Sequence, residues 1–134
     1  HQILKYKATL TVSGDGRKIA AGFPNEIKHV ILNLINNALE ACGQNKTEKP
    51  AINIDITRQD DKAVITISDN GGGIPEEIMK KLFEPYNSSK GEAGTGIGLT
   101  LAKTIVEEHH KGSITAKNTD IGALFRIELP TVNM

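Results

Sequence analysis

The chain contains, directly before an apolar helical pattern, the stretch Gly94-Thr95-Gly96-Ile97-Gly98-Leu99. Three glycines at alternate positions leave backbone N–H groups uncovered, which the packing of a core does not require. The first N–H groups of a helix have no partner within the helix, and they bind anions well. The stretch therefore predicts a turn that binds a polyphosphate and opens a helix over residues 96–109.

This glycine stretch differs from two common phosphate-binding motifs. A P-loop requires Gly-x-x-x-x-Gly-Lys-Ser/Thr, which is absent, and a Rossmann fingerprint follows a strand. Here a loop rich in Gly, Ser and Lys precedes the glycines, over residues 83–95. Lys90 in this loop is a candidate partner for a terminal phosphate, and the alternative is a lysine that is only solvated.

Composition excludes several classes of protein. A chain of 134 residues with 38% hydrophobic and 24% charged residues suits one globular domain with a core. The 16 basic and 16 acidic residues balance, which argues against a nucleic-acid binder with a broad basic surface. No apolar run approaches the roughly 20 residues of a membrane span. The single Cys42 is interpreted as a small buried side chain in a reducing, cytoplasmic setting.

Hydrophobic periodicity predicts the elements of the fold. Alternating apolar residues predict strands over residues 8–12, 17–21, 52–56, 65–67, 113–117 and 123–129. A helical period predicts a helix that begins after Asn25 as N-cap and stops at Gly43. Further helices are predicted over residues 76–82 and 96–109, the last capped by Gly112. The pattern predicts an α/β two-layer sandwich: a mixed, mostly antiparallel sheet of about five strands, with about three helices on one face.

Two asparagines lie four residues apart on the first long helix. The helix has a wide apolar arc, and Asn33 and Asn37 fall at its border. A carboxamide oxygen at such a border can ligate a hard cation such as Mg²⁺. The alternative is that both amides only form hydrogen bonds with backbone groups or water.

Asp69 continues the inward-facing alternation of the strand that contains Ile67. A carboxylate there costs free energy unless it meets hydrogen-bond donors. Gly71 and Gly73 follow, and they allow a flat ligand to approach the backbone. Asp69 can then accept a hydrogen bond from an exocyclic amine, while Ile74 offers the ring an apolar surface. The alternative is an ordinary strand-end aspartate in a glycine turn.

Taken in order, four segments resemble the catalytic, ATP-binding domain of sensor histidine kinases. This domain belongs to the wider Bergerat-fold family that includes DNA gyrase, heat-shock chaperones and mismatch-repair ATPases. The form Asn-Ala-x-Glu-Ala, over residues 37–41, is similar to the nitrogen-sensor and sporulation-kinase-like branch. The segments that resemble the N box, first glycine box, F box and second glycine box are residues 32–38, 69–75, 82–85 and 94–99.

The resemblance implies ATP and Mg²⁺ as cofactors and a role for each matching residue. Asn37 is implied to hold the Mg²⁺ that bridges the phosphates, with Asn33 beside it. Asp69 is implied to recognise the adenine amino group. The residues implied to line the adenine pocket are Gly71, Gly73 and Ile74.

The second half of the implied site comes from a lid over residues 84–95 and from the second glycine box. Backbone N–H groups of the glycine box are implied to surround the phosphates. The residues implied to contact the nucleotide from these two segments are Tyr86, Lys90, Gly94, Thr95, Gly96, Ile97, Gly98 and Leu99.

One position indicates the type of reaction. In the gyrase-like ATPases, an acidic residue one helical turn before the Mg²⁺-binding asparagine activates water. Asn33 occupies that position here, and a neutral amide is a poor general base. The resemblance thus implies a protein-histidine kinase that transfers the γ-phosphoryl group, with Asn33 and Lys90 assigned to the catalytic step. A hydrolysing ATPase of the same fold and an inactive nucleotide-binding module stay open as alternatives.

In this family the phosphoacceptor histidine lies on an upstream helical hairpin and precedes an acidic residue. None of His1, His29, His109 and His110 has that context. The resemblance therefore implies that residues 1–134 are one catalytic domain of a longer protein, unable to autophosphorylate alone. Its implied partners are the dimerisation hairpin of the same protein and a response regulator receiver domain, with no nucleic acid and no membrane contact. A cytoplasmic domain is expected, whether or not the full-length protein is anchored in the inner membrane.

Overall fold

The computed structural model describes residues 9–13, 23–84 and 95–130, and it forms one sheet with helices on one face. The strands are β1 (Thr9–Ser13), β2 (Ala51–Gln59), β3 (Lys62–Asp69), β4 (Ser113–Asn118) and β5 (Ala123–Pro130). The helices are α1 (Asn25–Gln44), α2 (Glu76–Met79) and α3 (Thr95–Lys103), which continues as a π-helical segment (Thr104–His109).

The sheet is mixed and has five strands in the order β1-β2-β3-β5-β4. β1 pairs with β2 in parallel, and every other neighbouring pair is antiparallel. The predicted α/β sandwich with a mostly antiparallel sheet is therefore confirmed. The predicted return strand over residues 17–21 lies outside the described residues.

The core lies between the sheet and the helices. Ile52, Ile54 and Ile56 are all buried, as the alternation along β2 predicts. On the opposite layer, α1 buries one stripe with a helical period, for example Ile27 and Leu34. Each layer thus covers the apolar face of the other, and the ends of the strands remain available for a site.

The start of α1 differs from the prediction. Asn25 is the first helical residue and not the N-cap, which is Pro24, and no capping hydrogen bond from a side chain is found among the described residues. The carbonyl of Pro24 accepts hydrogen bonds from the N–H groups of Ile27 and Lys28, at 3.0 and 3.1 Å. The proline ring holds φ at −58°, which already directs the chain into the helix.

The end of α1 also differs, because Gly43 lies inside the helix instead of stopping it. The N–H of Thr47 donates to the carbonyl of Cys42 at 2.9 Å beyond the last turn. The side chain of Asn45 donates to the carbonyl of Gly71, which is 26 residues away. Because α1 extends to Gln44, the residue directly after it, Asn45, can bind the segment that follows β3.

The two later helices lie where they are predicted; the last one, with its π-helical continuation, also ends at His109 as predicted, whereas α2 is shorter than predicted. α2 ends at Met79, and a turn replaces the rest of the predicted helix over residues 76–82. The predicted role of Gly112 at the end of the last helix is confirmed, since its N–H donates to Val106 at 2.8 Å. A Cβ atom at Gly112 would lie 2.1 Å from the carbonyl oxygen of Glu128, so only glycine allows this contact with β5.

Two histidines at the end of the π-helical segment hold the start of α1. Nδ1 of His109 and Nε2 of His110 lie 3.2 and 3.1 Å from the two carboxylate oxygens of Glu26. The hydrogen bond with His110, followed by that with His109, lowers the pKa of Glu26 below its ordinary value of 4.5. Ionised Glu26 therefore stabilises the folded state above that value, and the contribution is lost as pH falls through the lowered pKa.

We expect the Glu26→Gln variant to unfold at a lower temperature than the parent at about pH 6, because a neutral amide holds the two imidazoles less strongly. The difference should shrink as pH falls through the lowered pKa of Glu26, because the side chain of the parent then becomes neutral as well. This difference in unfolding temperature is measured at several pH values by thermal unfolding, with circular dichroism as the signal. The matched control is Glu48→Gln, at an exposed glutamate, and a difference that stays constant down to acid pH would contradict the prediction.

Candidate functional site

Asp69 is the last residue of β3, and its side chain points into the protein. Only 8% of the residue is exposed, so the predicted inward orientation is confirmed. Its Oδ1 atom accepts a hydrogen bond from the N–H of Gly71 at 2.8 Å. A buried carboxylate that receives a backbone donor is held in one orientation, as an acceptor for a ligand must be.

Two glycines pack against Asp69. A Cβ atom at Gly122 would lie 1.9 Å from the backbone oxygen of Asp69 and 2.7 Å from its Oδ1. A Cβ atom at Gly71 would lie 3.1 Å from the same Oδ1 and 3.2 Å from Sγ of Cys42. The backbone thus approaches the carboxylate more closely than any side chain would permit.

Asn70 ties the end of β3 to the start of β2. Its Oδ1 accepts from the N–H of Ala51 at 2.9 Å, and its Nδ2 donates to the carbonyl of Lys49 at 2.8 Å. The side chain of Asn70 therefore supports the strand end, while that of Asp69, one residue earlier, faces the core.

The glycine segment that follows is held by the β4–β5 hairpin. The N–H of Gly72 donates to the carbonyl of Ile121 at 3.0 Å. The side chain of Asn118 bonds both backbone polar groups of Ile74, each at 2.8 Å. Gly73 has φ of +85°, which side chains rarely adopt. The hairpin thus determines where the half-buried Ile74 lies.

Cys42 lies beside this segment, buried at the end of α1. Burial raises the pKa of its thiol, and the charge of Asp69 raises that pKa further, against a hydrogen bond with Thr47 that lowers it. The thiol therefore stays protonated at neutral pH and lies 3.7 Å from Oδ1 of Asn70. The prediction of a small buried side chain is confirmed.

The two candidate asparagines of α1 have different surroundings. Asn33 is exposed, whereas Asn37 is half-buried. The Nδ2 atom of Asn37 is buried and has no hydrogen-bond partner within the described part of the chain. An unpartnered buried amide costs free energy, and its oxygen and nitrogen exchange places by a half-turn of the side chain. Asn37 therefore fits a ligand to Mg²⁺ or to a nucleotide better than it fits a purely structural role.

Residues 95–98 of the second glycine box form the first turn of α3. The backbone of Thr95, Gly96, Ile97 and Gly98 is helical there, as the sequence predicts within one residue. Helices leave their first four N–H groups without internal partners, so this turn presents donors to an anion. Leu99 is 1% exposed and anchors the turn in the core. Tyr86, Lys90 and Gly94 lie outside the described residues.

Sequence reasoning missed three residues that shape this region. Asn118 and Gly122 lie between the strands predicted over residues 113–117 and 123–129, and Asn45 lies after the predicted helix stop at Gly43. Each acts on a residue that is at least 26 positions away: Asn45 on Gly71, Asn118 on Ile74, and Gly122 on Asp69. Nothing in the local pattern distinguishes such residues from ordinary turn formers.

The described part of the chain contains neither a metal centre built from protein side chains alone nor a membrane helix. Within residues 9–13, 23–84 and 95–130, no group of three or more His, Cys, Asp or Glu side chains is arranged to hold a metal ion. No helix of the same ranges is long and apolar enough to cross a membrane. A magnesium ion bound through one carboxamide and the phosphates of a nucleotide needs no such cluster.

The sequence model of one family matches nearly the whole chain, over residues 22–133, and its description is histidine kinase-, DNA gyrase B-, and HSP90-like ATPase. The chain belongs to this family, and within it to the ATP-binding catalytic domains of sensor histidine kinases.

Three relatives are a sporulation kinase and two sensor proteins of bacteria. Sporulation kinase A of Bacillus subtilis is 34% identical over 109 residues, which are 81% of this chain and 17% of that protein. The C4-dicarboxylate transport sensor protein DctB of Rhizobium meliloti is 36% identical, over 82% of this chain and 17% of that protein. Sensor histidine kinase ZraS of Salmonella typhimurium is 35% identical, over 81% and 23%. The chain thus spans less than a quarter of the length of these relatives.

Solved structures show the same architecture. The nucleotide-free catalytic domain of histidine kinase ThkA matches with a TM-score of 0.77 at 29% identity, over 97% of this chain and 83% of that one. Histidine kinase ThkA in complex with response regulator protein TrrA matches with a TM-score of 0.73 at 28% identity, over 98% and 36%. The predicted fold and its branch of the family are therefore confirmed.

Proposed function

We propose that this domain binds Mg-ATP and transfers the γ-phosphoryl group to a histidine on the dimerisation hairpin of the same sensor kinase. The phosphoryl group then passes to an aspartate of a response regulator. The observation that carries the proposal is the buried, backbone-held carboxylate of Asp69 within a chain of this family. Such a carboxylate suits recognition of an exocyclic amine on a flat base.

In the proposed complex, the base and the phosphates are bound by different elements. Asp69 accepts a hydrogen bond from the adenine amino group, while the backbone of Gly71 and Gly73 lines the pocket and Ile74 packs against the ring. The first turn of α3, with Gly94 before it, surrounds the phosphates. Tyr86 and Lys90 contact the nucleotide from the lid.

Asn37 would hold Mg²⁺, which supplies neutralisation of the phosphate charges when it is bound. The support for this assignment is the buried Nδ2 atom of Asn37 without a partner among the described residues. Asn33 and Lys90 are proposed for the catalytic step, with Asn33 positioning and Lys90 stabilising the transferred group. A neutral Asn33 does not activate water, which favours transfer over hydrolysis.

The proposed partners follow from the chemistry of a domain that holds the donor but not the acceptor. Residues 1–134 would be one catalytic domain of a longer kinase, and they would need its hairpin for autophosphorylation. The complex of the similar kinase ThkA with TrrA supports a receiver domain as the second partner. A cytoplasmic position of the domain is part of the same proposal, with no contact to nucleic acid or to a membrane.

Calorimetric titration with ATP, with and without Mg²⁺, tests the proposal. We expect binding that depends on Mg²⁺, with Kd on the order of micromolar to millimolar. The Asn37→Ala variant should lose measurable Mg-ATP binding while it keeps its far-UV circular dichroism, because the fold does not depend on this amide. Asn36→Ala, at the exposed neighbouring asparagine, is the matched control and should bind like the parent.

Two results would contradict this assignment. Normal Mg-ATP affinity in Asn37→Ala would remove Asn37 from the site. Absence of ATP binding by the parent, with and without Mg²⁺, would remove the support for nucleotide binding by this chain. Steady release of phosphate by the parent would favour the hydrolysing ATPase instead.

A further inference from the structure

Asn118, the last residue of β4, forms hydrogen bonds with the backbone of Ile74, which is 44 residues away in the sequence. Its Oδ1 accepts from the N–H of Ile74 at 2.8 Å, and its Nδ2 donates to the carbonyl of the same residue, also at 2.8 Å. A carboxamide is the side-chain group that offers one acceptor and one donor side by side in this way. The contact therefore requires asparagine chemistry and not merely a polar residue.

The segment that Asn118 binds, residues 72–74, has little conformational preference of its own. Gly72 and Gly73 both have positive φ, at +94° and +85°. Glycines of this kind lose more backbone entropy on ordering than other residues, so external contacts must hold them. The hairpin supplies these contacts, through the carbonyl of Ile121 on Gly72 and through Asn118 on Ile74.

The same hairpin also touches the carboxylate at the other end of the segment. Gly122 packs on the backbone and side chain of Asp69, and its own N–H donates to Oγ1 of Thr119 at 3.0 Å. A Cβ atom at Gly73 would lie 3.1 Å from Oδ1 of Asn118, so the side chain of Asn118 packs closely against the glycine segment. The β4–β5 hairpin thus contacts both Asp69 and Ile74.

We propose that Asn118 is a positioning residue for base selection in the nucleotide site. It holds the side chain of Ile74 at the separation from Asp69 that places the amino group of adenine on the carboxylate. The inference rests on the proposed function, since it assigns base recognition to Asp69 and Ile74. It adds a residue that does not touch the nucleotide and that acts through the backbone of Ile74.

The proposal predicts a loss that is selective for the base. Without the two hydrogen bonds from Asn118, Ile74 shifts and the adenine ring no longer presents its amino group to Asp69. The affinity for ATP therefore falls by about tenfold. Inosine triphosphate carries an oxygen in place of that amino group and gains nothing from the alignment. Its affinity should fall less, and the preference for ATP over inosine triphosphate should narrow.

The experiment compares the parent with Asn118→Ala and Asn118→Asp. The second variant has the same shape, but its carboxylate faces the carbonyl of Ile74 and cannot donate, so it should also narrow the preference. Asn53→Ala, at an exposed asparagine of β2, is the matched control and should bind both nucleotides like the parent. Amide hydrogen exchange at Ile74, measured by NMR, should be faster in both Asn118 variants than in the control.

The outcomes separate the inference from the proposed function. If the parent binds no ATP, the proposed function fails and this inference fails with it. If the parent binds ATP and both Asn118 variants lose the two nucleotides by the same factor, Asn118 is only structural and the inference is overturned. Unchanged exchange at Ile74 in both variants would overturn it as well.

Discussion

The Asp69→Asn variant is expected to bind ATP about a hundredfold more weakly than the parent, or worse. The amide oxygen still accepts from the N–H of Gly71, the contact that holds the carboxylate at 2.8 Å, so the site keeps its shape. The new NH₂ group, however, meets the amino group of adenine with a donor where an acceptor is needed. Calorimetric titration with Mg-ATP measures the loss.

A nucleotide with a different base distinguishes the loss of this hydrogen bond from general damage to the binding site. Inosine triphosphate presents an oxygen to the same position, so the Asp69→Asn variant should lose the preference for ATP and bind inosine triphosphate at least as well. Asp61→Asn, in the exposed turn between β2 and β3, is the matched control and should leave both affinities unchanged. Normal ATP affinity in the Asp69→Asn variant would contradict the proposal that Asp69 recognises the adenine base.

The Gly122→Ala variant should lose both stability and ATP affinity. Its Cβ atom would lie 1.9 Å from the backbone oxygen of Asp69, so either β5 or the end of β3 must move. Overpacking of this kind costs roughly 2–3 kcal/mol in the free energy of unfolding. In a domain of this size that corresponds to a fall in Tm of roughly 5–12 °C.

Gly43→Ala is the control with the opposite expected sign. Gly43 is exposed within α1, where alanine raises the helical preference by about 0.5–1 kcal/mol. Differential scanning calorimetry of the two variants should therefore show Tm shifts in opposite directions. An unchanged Tm for Gly122→Ala would mean that the contact between Gly122 and Asp69 is not tight in solution.

The layers of this domain were predictable because burial imposes a local period on the sequence. The alternation of Ile52, Ile54 and Ile56 predicted the inward face of β2, and the same alternation predicted that Asp69 would point inward. A polar residue in such a series stands out against its neighbours. For that reason the sequence by itself identified Asp69 as a candidate site residue.

The ends of α1 were less predictable, because helix ends depend on contacts outside the helix. Asn25 has the chemistry of an N-cap, yet it is the first helical residue and Pro24 is the N-cap. Gly43 has the chemistry of a helix stop, yet it lies inside the helix. The bond from Asn45 to Gly71 is made with a residue 26 positions away. No local preference records such a contact.

The sequence by itself determined the α/β sandwich, the helix that carries Asn37 and the inward position of Asp69, since each follows from periods of 2 or 3.6 residues. Only the tertiary structure decided how the glycine segment after Asp69 is held. Its contacts come from Asn118 and Gly122 on a hairpin more than 40 residues later. Hydrogen bonds and close backbone approaches between distant segments leave no periodic trace in the sequence, so they become visible only when the chain is folded.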